Sequence, residues 1–486
     1  MRSSLPGPWA RSSEPIRPVH LYLRTPQTPR LAPQHLRGMV GGSMSSKAPA
    51  PFGLASATAL IVANMIGTGV FTSLGFQVAG TQSGFALLAL WAVGGLLSLA
   101  GALCYAELGA MLPHSGGEYV YLSRAWSPTL GFVGGFVSIT AGFAGPVALA
   151  AIAFGRYAAQ VAPIPPLAGT IGVLVLVGSV QFLHARGAAL FQLATSSITL
   201  AVIVAFVSTG LAIGPVEPIS FAPSAAAWRE IIAAPFAISL IYVIYAYHGW
   251  NAVGYVAGDV QNPQRVIPRA VIGAVLLVGT LYLLLHWVFL RTTPIEALSG
   301  TVEVASLSAS RILGPIGGRI MSAMIAAVLV ATVSGFLLAG SRVTQAVAAD
   351  KPRLAWLAIR SADGVPRPAL AFQIALIGLL IATSTFEQVL AYAGVVLNLM
   401  NLLAILGVMR LRKIAPELHR PFRVPFYPAT PLLFAALSCW MIVFVIVQRP
   451  AVLLAALGTL GAGALLHRLL QTGSPDTGSN PASPNP

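Results

Sequence analysis

NMIGTGVF, residues 64–71, interrupts what would otherwise be an unbroken apolar membrane segment. Glycine costs about 1 kcal/mol against alanine in a helix interior, so Gly67 and Gly69 around the β-branched Thr68 mark a weak point in that helix. A second weak point, AYHGWN, lies at 246–251. How the two relate decides the fold.

Hydrophobic residues make up 56% of the 486-residue chain and charged ones 8%, where a soluble domain carries about 25% charged residues. That balance specifies an all-α integral membrane protein. Stretches of about 20 apolar residues, enough to cross a hydrocarbon core of about 30 Å, can be laid along the chain about twelve times. The expected spans are 54–80, 84–108, 128–158, 168–184, 190–213, 233–258, 268–290, 315–340, 369–385, 387–409, 427–447 and 451–470.

A formal charge of +15 raises the question of nucleic acid, and its placement excludes that class. With the N-terminus inside, most Lys and Arg fall on the cytoplasmic side, in clusters from Arg2 to Lys47, at 342–360 and at 410–423, as the positive-inside rule expects. No aromatic-and-basic stripe accompanies them. Cys104 and Cys439 both lie inside expected spans, so no disulfide framework is implied. Residues 1–50, rich in Pro, Ser and Arg, lack the apolar core of a cleavable signal peptide and are expected to form a disordered cytoplasmic tail, with Met39 or Met44 as alternative starts. Residues 472–486 read as a second such tail.

In hydrocarbon an unwound turn is tolerated only where it is buried in protein or lines a cavity. The first break lies in span one and the second in span six, which predicts two inverted repeats of five spans, 51–213 and 214–409, followed by two further helices over 410–471. Helices 1 and 6 would then be discontinuous near the bilayer midplane. Free N–H groups at Gly67-Thr68-Gly69 suit a carboxylate, and carbonyls released at Tyr245-Ala246-Tyr247-His248 suit an ammonium group. Together they match a zwitterionic α-amino acid. The alternative is that Gly67 and Gly69 only let helices pack closely.

IGTGVF, the CYAELGAMLPHSGGEYVYL stretch at 104–122 and YAYHGWNAVGYVAGDVQNPQRVIPRA at 245–270 resemble the amino acid–polyamine–organocation superfamily, and within it the bacterial relatives of the L-type amino acid transporters. The resemblance covers about residues 50–450. It implies a LeuT-like five-plus-five inverted repeat with two extra helices, and amino-acid exchange or symport by alternating access. By position it implies that Thr68 and Gly69, with Ile66 and Gly67 beside them, take the carboxylate, and that the carbonyls of Met65, Tyr245 and His248 take the amine. Ala246, Tyr247 and Gly249 complete that expected site, and Tyr245 would close over the substrate. His248 departs from the usual small residue or aspartate, and Thr199 stands near the place of a lysine found in several relatives. Some animal relatives are disulfide-linked to a heavy chain through the loop after span three; here that loop, QVAPIPPLAG at 160–169, has no cysteine.

Few ionisable groups fall inside the spans. Glu107 reads as part of an inner gate or as a proton relay, and Asp259 as a gate latch or a plain connector residue. His248 either shapes the pocket or couples transport to protons. Asn398 and Asn401, on one face of span ten, bond between helices or line the side-chain end of the pocket. Thr332 and Ser334 are candidate sodium ligands, with bonding to their own backbone as the competing use. Trp91, Trp287 and Trp440 are expected to pack or to anchor at the interface. Gly116-Gly117 permits a tight turn, Tyr119 and Tyr121 suit an interfacial segment, and Pro263 and Pro268 should stop helices.

No metal cluster, nucleotide loop or nucleophile–base pair is evident, so an enzyme, a cofactor and a catalytic group are not expected. The expected function is a secondary transporter of neutral amino acids in the cytoplasmic membrane, with both termini cytoplasmic, the lipid bilayer as its surroundings and no covalent heavy-chain partner. Exchange stands ahead of proton-coupled symport. A channel or a non-transporting sensor is the rival of another class.

Overall fold

The computed structural model describes residues 53–183, 188–213, 219–349, 351–361 and 363–471, and every secondary-structure element among them is helical. The expected tails, 1–50 and 472–486, lie outside the described residues. Among the described residues nine helices are long and apolar enough to cross a membrane, a bent pair (Ala225–Ile231 and Ala234–Tyr247, bent by 62°) passes that test together, and Ser197–Ile213 and Arg367–Thr383 are shorter apolar helices. Each expected apolar segment thus falls on a helix. Length and apolarity alone qualify fewer than the expected twelve.

These helices are apolar all round, so their neighbours rather than their patterning set their place. In Pro128–Ala159, 83% of the most apolar window is buried; in Pro450–Gln471 it is 17%. The former is the centre of the bundle, and the latter lies at its rim. Small residues bring backbones together where the core is tightest. A Cβ at Gly155 would stand 2.1 Å from the Pro166 carbonyl oxygen, and one at Gly94 would stand 2.3 Å from Val243 Cγ1. Pro263–Thr292 lies along both Gly84–Met111 and Leu54–Met65, and Val304–Ala349 lies along Gly145–Ala159.

Several local expectations change. Pro263 opens its helix at the first position, where a missing N–H costs nothing, and Pro268 sits buried in the second turn without stopping it. The helix therefore begins at 263 rather than 268. Val304–Ala349 contains a break at Gly314 (φ 74°, ψ 179°) just before Pro315, the expected start of span eight. Gly116 and Gly117 take positive φ (133° and 51°) and do form a turn. Tyr121, however, is buried rather than interfacial. Trp91 is fully buried as well: its ring stacks on His286 at 3.5 Å and its Nε1 donates to Gln77 Oε1 at 2.9 Å.

Candidate functional site

Leu54–Met65 stops because Ile66 (φ −79°, ψ 91°) and Gly67 (φ −129°, ψ −154°) are extended, and helix resumes at Thr68. No side chain caps that restart, so its first N–H groups lack partners of their own. Ala234–Tyr247 stops at His248 (φ −62°, ψ 148°) and Gly249 (φ 125°), and a helical turn resumes at Ala252–Tyr255. The two breaks touch each other. A Cβ on Gly249 would stand 2.6 Å from the Asn64 carbonyl, and one on Gly69 would stand 2.7 Å from Ala246 Cβ. Each break supplies a glycine on which the other rests.

Between them lies a cavity of about 60 Å³ walled by Asn64, Met65, Gly67, Thr68 and Gly69 on one side and by Tyr245, Ala246, His248 and Gly249 on the other. At Gly67 a Cβ would meet nothing within 4 Å. The backbone there faces open space, whereas Gly69 faces the second break. Tyr245 is 8% exposed, and its hydroxyl interacts with the Thr68 side chain. Among the described residues no Asp, Glu, Lys or Arg lines the cavity, and half-buried His248 is its one histidine.

Three expected site residues point elsewhere. Ile66 is 6% exposed within the apolar core. Tyr247 packs on Trp91 and Tyr282 and donates to the Trp91 carbonyl at 3.1 Å. Asn398 accepts from Ser438 Oγ at 3.1 Å, facing the Ala429–Gln448 helix and not the cavity. Successive helical residues diverge by about 100°, so Tyr245 and Tyr247 cannot share a face. The Met65 carbonyl accepts from the Tyr282 hydroxyl at 2.7 Å, which also reaches the Ala246 carbonyl at 3.2 Å, and His248 N–H donates to the Tyr245 carbonyl at 3.0 Å. A carbonyl has two lone pairs, so each of these keeps capacity for one more donor.

Glu107 and Asp259 lie outside the cavity. Glu107 is fully buried, accepts from Arg412 Nε and Nη2 at 2.9 and 2.5 Å and from Val424 N–H at 2.7 Å, and has Arg420 at 3.7 Å. That is a clamp between Gly84–Met111 and the far end of Phe386–Ile414. Asp259 is exposed in the turn beyond Tyr255. The sodium pair does not converge: Thr332 lines the cavity but donates to its own Val328 carbonyl at 3.2 Å, while Ser334 accepts from Gln181 Nε2 at 3.2 Å. Residues two apart on a helix face opposite ways. Thr199, in the fifth expected span, is buried.

Sequence reading named Thr332 in the eighth span but none of the other cavity-lining residues of the third and eighth spans. Gly142, Phe143 and Pro146 come from Pro128–Ala159, which winds as a π-helix over Ser138–Ala144, and Phe336 comes from Val304–Ala349. Such bulges recur at functional sites. The signal available was the run TAGFAGP at 140–146, dense in glycine and closed by proline.

A cavity formed where two membrane helices interrupt their hydrogen-bond ladders defines a multi-pass membrane protein of the discontinuous-helix class. Comparison with known proteins gives the particular family. The chain belongs to the amino acid permease family, whose pattern matches residues 52–456, and so to the amino acid–polyamine–organocation superfamily with its LeuT-like fold. It is 28% identical over 400 residues to the serine/threonine exchanger SteT of Bacillus subtilis (strain 168), covering 80% of this chain and 90% of that one. It is 27% identical over 413 residues to the b(0,+)-type amino acid transporter 1 of Mus musculus (82% and 83% covered). To the Asc-type amino acid transporter 1 of the same organism it is 26% identical over 413 residues (82% and 77%).

Proposed function

We propose that this chain is a secondary transporter that exchanges neutral L-amino acids across the cell membrane by alternating access. The carrying observation is that both helix breaks wall one cavity that no fixed charge lines. A zwitterion needs a donor end and an acceptor end and no net charge opposite it. In this reading the substrate carboxylate lies on the N–H groups of Gly67, Thr68 and Gly69 and on the Thr68 hydroxyl. Its ammonium group takes the remaining lone pairs of the Met65, Tyr245 and His248 carbonyls. Its side chain points to Phe143, Tyr255 and Phe336. A cavity of about 60 Å³ holds roughly four water-sized groups, which favours small side chains. The name of the bacterial relative, a serine/threonine exchanger, agrees with that size.

The repeats run over 51–213 and 214–409, with 410–471 outside them and both termini cytoplasmic. Alternating access is then a rocking of one part of the bundle on the other about the paired breaks. The deciding experiment is a competition panel of the common amino acids against radiolabelled L-serine, using purified protein in proteoliposomes at two pH values. Uptake that requires an amino acid inside the vesicle supports exchange. Uptake into empty vesicles driven by a pH gradient favours proton symport, and no flux at all favours a sensor.

A further inference from the structure

Two glutamates are buried among the described residues near one end of the Gly84–Met111 helix, and they are treated differently. Glu107 has Arg412 and Arg420 beside it. Glu118, 4% exposed at the start of Glu118–Ala125, has no cation among the described residues within ion-pair distance. Its Oε1 accepts from Asn251 Nδ2 at 2.6 Å and lies 3.2 Å from the Tyr105 hydroxyl; its Oε2 accepts from the Tyr255 hydroxyl at 2.6 Å. An ionised carboxylate buried without a cation is costly, and three neutral donors offset only part of that cost.

The groups facing Glu118 can be named element by element. From Gly84–Met111 it is Tyr105, from its own helix Tyr121, and from the second broken segment Tyr255 and, at longer range, His248. From Phe386–Ile414 the neutral Asn401 reaches Tyr105, and from the π-helix Ser138 reaches Tyr255 at 3.0 Å. Pro128–Val137 carries no titratable residue. Of the cations on these elements, Arg412 pairs with Glu107, Arg410 lies over the Trp126 ring at 5.0 Å, and Arg124 is exposed. Asp259 is exposed as well.

The hydrogens of this network can be placed in two ways. The Tyr105 hydroxyl lies 3.2 Å from Glu118 Oε1 and 3.0 Å from Asn401 Oδ1, and it has one hydrogen to give. If it donates to Asn401, the contact with Glu118 requires a proton on the carboxyl. If Glu118 is ionised, Tyr105 must donate to it, and turning the Asn401 amide brings the otherwise unpartnered Nδ2 to the Tyr105 oxygen. The two states differ by one proton on Glu118 and one amide turn. Asn251 and Tyr255, which hold the carboxyl, also line the cavity.

We infer that Glu118 is the proton-binding site of the transport cycle, joined to the substrate cavity through Asn251 and Tyr255. The proton is taken from and returned to the solution that the cavity faces, and its presence changes the hold of Glu118 on the second broken segment. This inference rests on the transporter reading above. It is distinct from proton coupling at His248 and from a relay at Glu107, whose guanidinium partners fix it as an ion pair.

The test uses the purified full-length chain in proteoliposomes, with L-serine or the strongest competitor from the panel. Wild-type exchange is expected to differ by about threefold or more between about pH 5.5 and pH 7.5. In Glu118→Gln that ratio falls to near one, whatever the absolute rate. Calorimetry of substrate binding in two buffers of different ionisation enthalpy gives the number of protons moved per substrate, which is expected to be non-zero in wild type and in His248→Asn. A variant that keeps the wild-type pH ratio overturns the assignment, as does a proton count lost in His248→Asn. Should Glu118→Gln fail to transport, its own proton count on substrate binding decides instead: a count near zero supports the assignment, and the wild-type count overturns it. Exchange that is flat in pH with no protons moved defeats this inference alone, whereas no exchange of any amino acid defeats the transporter reading.

Discussion

At the scale of single residues, Gly67 and Gly69 look equivalent in the sequence and separate in space. A methyl at Gly67 enters the cavity without touching an atom within 4 Å, while one at Gly69 meets Ala246 Cα at 2.8 Å. Gly67→Ala is therefore expected to weaken substrate binding by about tenfold, roughly the 1.4 kcal/mol of one displaced contact, with unchanged thermal stability. Gly69→Ala forces the two breaks apart and is expected to destabilise by about 1–3 kcal/mol. Competition binding and thermal unfolding in detergent measure the two effects, and equal behaviour of the variants would contradict the geometry. His248 lines the cavity, so His248→Gly is expected to enlarge it and shift preference toward larger amino acids in the competition panel. An unchanged order of preference would remove His248 from the side-chain end.

Single elements show what holds the breaks in register. Tyr282 projects from Pro263–Thr292 and donates to the Met65 carbonyl at 2.7 Å while reaching that of Ala246 at 3.2 Å, so one hydroxyl serves both interrupted helices. Tyr282→Phe is expected to cost about 1–3 kcal/mol through a buried unsatisfied acceptor, seen as a lower unfolding midpoint together with weaker substrate binding. Loss of stability without loss of binding would separate the clamp from the site. The Glu107 clamp makes a similar case at the other helix crossing. Its carboxylate faces two guanidiniums, so Glu107→Gln leaves buried positive charge uncompensated and is expected to destabilise by about 3–5 kcal/mol. Thermal unfolding of the variant at constant detergent concentration measures it, and an unchanged midpoint would show that solvent already screens the pair.

For the whole molecule the question is whether one chain suffices. The loop 160–169 has no cysteine, and the free cysteines among the described residues are Cys104, buried in the core, and Cys439, exposed on the face of Ala429–Gln448. Neither is placed to anchor a second subunit at a loop. The purified chain alone is accordingly expected to exchange amino acids in proteoliposomes, with a rate unchanged by reducing agent. A strict requirement for a second subunit, or inactivation on reduction, would refute this.

What the sequence determined by itself is what depends on composition and local backbone preference. Apolar runs long enough for a bilayer must be helical there, and glycine beside β-branched or proline-limited stretches must weaken those helices, so the spans and both breaks were legible at 64–71 and 246–251. Most of the residues flanking the breaks reached the cavity for the same reason: an unwound backbone has nowhere else to go. Tertiary structure alone decided which way side chains turned in segments that are apolar on every face. Nothing local distinguishes Tyr245, which faces the cavity, from Tyr247, which supports Trp91, or marks Asn398 as a partner of Ser438. Nor could the sequence separate Glu107 from Glu118, since what distinguishes them is an arginine pair some 300 residues away in the chain, present beside one carboxylate and absent beside the other. Whether a buried charge is neutralised is a property of long-range packing, and only the folded chain supplies it.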